Sequence, residues 1–215
     1  KRKVFVVKKT LVSTFFDYFA PHYCYFCGRI GSLYCEECQK LEKSQGFYIK
    51  NSKTVFNFEF YIAQRDGILR QIVDDYKFNN IRQNQIIIAK ILANSFAPYI
   101  GKDKNYVVLP IPTVRKHIRE RGYDHIELLC DSFCELTGLK SARLLTRATK
   151  SRQRGSSEKK RREQASKAFI LRLPVEKNYH YMLLDDIKTT GSTLEEAAKL
   201  LRKNGATKIS AIYIL

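Results

Sequence analysis

No stretch of this chain approaches the roughly 18 to 20 apolar residues that a bilayer-spanning helix requires. The opening Lys1-Arg2-Lys3-Val4-Phe5-Val6-Val7-Lys8-Lys9 has four apolar residues between basic flanks, too few for a secretory signal, so a cytoplasmic protein is expected. No internal repeat of useful length occurs, which argues against solenoid and propeller architectures. The histidines His22, His117, His125 and His180 form no pair at metal-ligand spacing. Acids are in short supply: 21 Asp and Glu against 39 Lys and Arg leave a formal charge of +18 on 215 residues. Such self-repulsion is usually carried for a polyanion, whether nucleic acid, phosphate or an anionic membrane. The remaining composition, 44% hydrophobic and 28% charged, is that of an ordinary globular protein.

What is present falls into regions. Residues 1–53 read as an N-terminal helix and a cysteine module: Leu11, Phe15 and Phe19 recur at helical spacing, Pro21 ends the helix, and four cysteines follow. From residue 54 to 215 the pattern is α/β. Val55 to Ile62 read as strands or a hairpin, and Ile68, Leu69, Ile72, Val73 and Tyr76 as a helix. Ile86 to Phe96 give a second helix. Tyr106 to Leu109 form a short buried strand stopped by Pro110-Ile111-Pro112, and Ile126 to Leu136 a helix closed by Gly138. Tyr181 to Leu184 is an apolar strand, Glu195 to Lys203 a helix, and Ile209 to Leu215 a last strand. Strands alternating with helices imply a doubly wound parallel sheet covered on both faces. The charge is concentrated: Lys140 to Arg172 hold twelve Lys and Arg against Glu158 and Glu163, a net of +10. Residues 143–167 within that stretch are expected to form a mobile basic loop.

The segment from Met182 to Leu194 carries the most chemistry. An apolar strand delivers Asp185 and Asp186, then a turn of small hydroxyl residues around Gly191, then a helix. The start of a helix offers unpaired N–H groups and the positive end of the dipole to a phosphate. Thr189, Thr190, Ser192 and Thr193 add donors, and Gly191 lets the backbone approach closely. The two acids would repel a phosphate and suit sugar hydroxyls, so the ligand is a sugar phosphorylated at one end. This resembles the 5-phosphoribosyl 1-pyrophosphate (PRPP) motif of type I phosphoribosyltransferases. The resemblance implies that Asp185 and Asp186 hold the ribose hydroxyls and that Thr189, Thr190, Gly191, Ser192 and Thr193 wrap the 5′-phosphate. In such folds an earlier strand ends in a pyrophosphate loop, a place that Ile111, Pro112, Arg115 and Lys116 fit, with Mg2+ arriving on the ligand. Pro-Ile-Pro taken alone also reads as a plain strand terminator.

Cys24-x2-Cys27, seven residues, then Cys35-x2-Cys38 supply four thiolates on two tight knuckles. Four soft ligands in closed coordination indicate structural Zn2+ in a reducing compartment. A rubredoxin-like iron site and a pair of redox dithiols are the other readings. His22 lies near enough to compete as a ligand, but a fifth is unnecessary. Cys130 and Cys134, one helical turn apart in an apolar stretch, read as buried small hydrophobes.

Together these features resemble the ComF family of competence proteins, of the ComFC type. The likeness runs through Phe15-Phe16 to Cys24-x2-Cys27-Gly28, Ile111-Pro112 to Arg119-x-Arg121-Gly122-Tyr123, Leu145-x-Arg147, Gln153, Arg161, Phe169 and Asp185 to Thr193. The chain departs from the pattern at Asp124-His125, where the family usually has Asn-Gln, and at Gln164, which replaces a common Asn. The resemblance implies a type I phosphoribosyltransferase-like fold behind a zinc module and a role in natural transformation. Single-stranded DNA and PRPP are the implied ligands, a ComFA-type helicase and a DprA-type loader the implied protein partners, and a homodimer follows by analogy. Arg119, Arg121, Lys150, Arg152, Arg154, Lys159, Lys160, Arg161 and Arg162, with Arg115 and Lys116, would engage the DNA backbone. Tyr23, Tyr25, Phe26 and Tyr34 either stack on bases or form the module's small core. Two other functions stay open: a metabolic phosphoribosyltransferase acting on a small base, and a PRPP-sensing regulator without chemistry. The base-selecting hood of a salvage enzyme is not evident in the sequence.

Overall fold

Val107-Val108-Leu109 and Met182-Leu183-Leu184 are unbroken apolar runs, the pattern of strands buried on both faces. In the computed structural model, which describes residues 21–41, 48–50, 55–62, 67–100, 105–148, 168–186 and 192–214, they are neighbouring strands of one sheet. The chain divides into two compact units, Lys1–Lys43 and Ser44–Leu215.

The described part of the first unit holds the cysteine knuckles and one short helix, α1 (Glu36–Leu41). The second unit contains, in chain order, β1 (Tyr48–Lys50), β2 (Glu59–Tyr61), α2 (Gly67–Phe78), α3 (Asn84–Phe96) and β3 (Tyr106–Pro110). Then come α4 (Arg115–Arg121), α5 (His125–Thr137), β4 (Lys140–Ser141), β5 (Leu145–Arg147) and β6 (Phe169–Leu171). β7 (His180–Asp185), α6 (Ser192–Lys203) and β8 (Lys208–Tyr213) are the remaining described elements. Among the described residues, no helix is long and apolar enough to cross a membrane.

The main sheet runs β1-β2-β8-β7-β3-β4. β2, β8, β7, β3 and β4 are mutually parallel, while β1 pairs antiparallel with β2. The sheet is therefore mostly parallel, with an antiparallel edge that the sequence did not announce. Alternation along the strands splits the apolar residues between two faces. Val107, Leu109, Tyr181, Leu183, Ile209 and Ala211 belong to one core with Leu194, Ala197, Ala198 and Leu201 of α6. On the other side, Phe96 of α3 meets Phe60 at 4.9 Å, Tyr106 at 6.3 Å and Phe133 of α5 at 6.2 Å between ring centroids.

The expected strands over Val55 to Ile62 resolve into β2 alone. Asn57 explains the shortening: its side-chain oxygen accepts from the Ile209 N–H at 2.8 Å while its own N–H donates to the Ile209 carbonyl, so the chain joins the sheet through a side chain before β2 begins. α5 matches its expected span and ends at Gly138, whose φ of 70° is the left-handed conformation glycine adopts without a Cβ penalty. Cys130 and Cys134 on that helix are buried, as small hydrophobes would be. Two features lacked a sequence signal. α4 is polar apart from Ile118, and the antiparallel ribbon β5–β6 pairs Arg147 with Phe169 across residues 149–167, which lie outside the described residues.

Candidate functional site

β3 and β7 run side by side in the same direction, with Pro110 in register with Leu184, and the Ile111 N–H donates to the Leu184 carbonyl at 2.9 Å. Ile111-Pro112 and Asp185-Asp186 therefore leave the sheet together at its carboxyl edge, where ligands of open α/β sheets bind. Strand alternation separates the two acids. Asp185 follows Tyr181 and Leu183 toward the α6 side, and Asp186 follows Met182 and Leu184 toward α2 and α5.

Asp186 is buried. Its Oδ2 lies 2.6 Å from His125 Nε2 and 2.7 Å from Lys77 Nζ. On the far side of the imidazole, Arg121 Nη1 is 2.9 Å from His125 Nδ1. A guanidinium can only donate, so Nδ1 accepts and the ring proton sits on Nε2, aimed at Asp186. The resulting chain, Arg121 to His125 to Asp186 with Lys77 as a second donor, joins three elements at one carboxylate. Burial by itself would raise the Asp186 carboxyl, but the His125 hydrogen bond and the Lys77 charge prevail and hold it well below the usual carboxylate range. Asp185 goes the other way: burial and the neighbouring Asp186 charge push it well above that range. One of its oxygens accepts the Asp186 N–H at 2.9 Å. Two adjacent carboxyls thus differ, one fixed as an anion and the other poised to hold a proton.

The other expected anion ligands surround this edge unevenly. Arg115, Lys116 and Arg119 are exposed on α4, while Arg121 is half-buried through its bond to His125. α4 stops at Gly122, with φ 78°, and the next helix starts at once because Asp124 caps it, accepting the N–H groups of Ile126 and Glu127 and the Thr113 hydroxyl. Arg147 Nε donates to the Pro112 carbonyl at 2.8 Å, so the β5–β6 ribbon is tied to the corner after β3. Ser192 and Thr193 form the first turn of α6, close in sequence to the acids. Thr189, Thr190 and Gly191 lie outside the described residues, as do Lys150, Arg152, Arg154, Lys159, Lys160, Arg161 and Arg162.

Sequence reasoning did not single out Lys77 or assign His125 a role. Lys77 sits one turn after buried Val73 on an otherwise apolar stripe, a placement that signals a partnered lysine. His125 stands where the ComF pattern has Gln. An imidazole with one acceptor and one donor nitrogen reproduces the two ends of a primary amide, as Asp124 reproduces the capping oxygen of Asn.

In the first unit the four cysteine sulfurs all lie within 4.8 Å of one another, with Cys27 and Cys35 Sγ at 3.6 Å. A tetrahedral zinc with Zn–S bonds of about 2.3 Å needs sulfurs about 3.8 Å apart, so the set fits. The first knuckle closes through the Gly28 N–H to the Cys24 carbonyl at 2.8 Å and the Cys24 N–H to the Arg29 carbonyl at 2.9 Å, with Gly28 at φ 73°. The second uses the first turn of α1, placing Cys38 above Cys35. Burial resists ionisation of Cys24, but backbone N–H groups around its sulfur lower the thiol to about 6, so it is readily a thiolate ligand. These four residues could hold a metal ion. Tyr34 is buried and packs 5.1 Å from Phe26, so this pair forms the module's core, whereas Tyr23 is exposed.

No family model matches the chain. Among known proteins it is similar to Competence protein F of Haemophilus influenzae, 32% identical over 200 residues that cover 87% of this chain and 81% of that protein. Competence protein ComFC of Bacillus subtilis is 24% identical over 204 residues, 90% of this chain and 78% of that one. DNA utilization protein YhgH of Salmonella typhi matches over a shorter stretch, 36% identical over 97 residues, 44% of this chain and 42% of that protein. With four-fifths of the Haemophilus protein aligned, and with the cysteine module and the paired acids at the end of a central parallel strand, the chain belongs to the ComF family of competence proteins, of the ComFC type.

Proposed function

We propose that this protein handles single-stranded DNA in natural transformation and that the carboxyl edge of β3 and β7 binds PRPP, or a closely related phosphorylated ribose, with Mg2+. The relatives' names, competence protein and DNA utilization protein, support the first half. One observation carries the second: two adjacent parallel strands end together, one delivering Ile111-Pro112 and the basic α4, the other Asp185-Asp186 and, after a short connection, the start of α6. In this reading Asp185 receives the ribose hydroxyls, while Asp186, engaged by Lys77 and His125, keeps the corner in shape. Arg115 and Lys116 face the pyrophosphate, and Thr189 to Thr193 receive the 5′-phosphate. The cysteine set holds Zn2+ as a structural ion that cross-links the knuckles. A ComFA-type helicase and a DprA-type loader remain the protein partners to test.

Calorimetric titration with Mg2+ and PRPP tests the site. Asp185→Ala should weaken binding roughly 10- to 100-fold, the loss of one or two buried hydrogen bonds to the ribose hydroxyls, and leave metal content unchanged. An unaltered affinity would remove the ribose assignment. Binding of an oligonucleotide at two salt concentrations tests the DNA half, since phosphate contacts predict a steep loss with salt. Turnover of a free base by a protein indifferent to DNA would replace this reading with a metabolic transferase.

A further inference from the structure

Phe78, the last residue of α2, is 68% exposed, more than any other large hydrophobic side chain among the described residues. Its chain neighbours Asn79 and Asn80 are polar and exposed, and two cations flank the ring: Lys77 Nζ at 5.9 Å and Arg121 Cζ at 6.0 Å from its centroid. Both cations are held from behind by the same carboxylate, Lys77 directly at 2.7 Å and Arg121 through His125. The helix that carries the ring is anchored in the core through Ile72, Val73 and Tyr76, which are fully buried. One turn of chain further on, Arg82 lies 4.3 Å over the ring of Tyr123. The result is an aromatic face, open to solvent, framed by positive charge and set beside the Asp186 corner.

We propose that Phe78 is a stacking platform for a nucleobase of a single-stranded nucleic acid, with the positive charge of Lys77 and Arg121 beside the ring favouring the phosphates that flank that base. An apolar protein partner would require a contiguous hydrophobic patch. A lone ring between tethered cations instead matches a flat aromatic base carried on a phosphate backbone, and stacking on such a ring tolerates any base. Arg115, Lys116 and Arg119, exposed on the same helix as Arg121, add further positive charge to that element. The platform rests on the DNA-handling half of the proposed function and is independent of the PRPP half.

The test compares an oligothymidylate with an abasic oligonucleotide of equal length on the full chain. Phe78→Ala should weaken the oligothymidylate roughly 5- to 100-fold, the range of one lost stacking contact, and leave the abasic strand and PRPP unaffected. Phe78→Trp should keep the affinity and, because the chain has no tryptophan of its own, give a single emission signal quenched by the oligothymidylate and not by the abasic strand. Equal losses for both strands in Phe78→Ala, no loss at all, or an indifferent tryptophan signal would each overturn the platform. Quenching by DNA in a protein that ignores PRPP would uphold the platform while removing the ribose site. PRPP binding without any base effect would do the reverse.

Discussion

The carboxylate of Asp186 shows how much a single residue's role depends on its partners. Its neighbour Asp185 has the same side chain and nearly the same backbone position, yet the two are driven to opposite protonation behaviour by what each faces. A buried ion pair is weak evidence for net stability, but removing one partner exposes the other to the full cost of unpaired burial. Replacing His125 by Leu should therefore destabilise the second unit by about 1–3 kcal/mol, since Asp186 loses a donor and Arg121 an acceptor in a buried setting. His125→Gln, which keeps an acceptor and a donor at the two ends of the side chain, should recover most of that loss. Urea unfolding of the two variants decides it, and equal destabilisation would mean that the imidazole ring's packing, not its hydrogen bonds, matters.

At the scale of elements, the pairing of β7 with β8 contains a pH-sensitive contact. His180 opens β7, bonds through Nε2 to Ser210 Oγ at 2.8 Å, and lies against Tyr106 and Phe58. Burial, helped by the Lys208 charge, lowers its pKa from 6.5 to about 4. The folded state thus disfavours the protonated ring, so stability is unaffected above pH 6.5 and falls as pH drops from 6.5 toward 4. The loss approaches ~2–3 kcal/mol once partial solvation is allowed for. A His180→Asn variant should lack this component, and its stability relative to the parent should rise steadily across that window. Parallel stability curves would contradict the assignment. Which elements were legible in the sequence follows the same physics. β3, β7 and β8 stood out as apolar runs, and α2, α3, α5 and α6 by helical recurrence, because each buries a continuous face. α4 offers no buried residue and is set by the left-handed Gly122 and the Asp124 cap behind it. β4, β5 and β6 are two or three residues long, too short for any alternation to register. At the site, the paired acids and the thiolates were readable because their ligands are local in sequence. The Lys77–Asp186 and His125–Asp186 contacts join residues far apart in the chain and leave no local trace.

For the molecule as a whole, the division into two units predicts separable stabilities. With zinc on the four thiolates, as proposed, Cys24→Ser should release it and unfold the knuckles, which have only Cys24 and Tyr34 buried among the described residues and so depend on their cross-link. The second unit, with its own sheet and two helix-covered cores, should keep its unfolding midpoint. Metal analysis together with circular dichroism melting distinguishes the outcomes, and full metal retention would contradict four-thiolate ligation.

The position of β8 has a consequence for biosynthesis. This strand follows β1 to β7 in chain order yet lies in the sheet's interior, between β2 and β7. During translation β2 can pair only with β1 until residues 208–213 have cleared the ribosome tunnel. The nascent chain therefore waits with two unzipped strand edges, and its final closure joins segments more than a hundred residues apart, the slow and aggregation-exposed kind of assembly step. A chaperone that shields those edges would act between the emergence of β2 and that of β8.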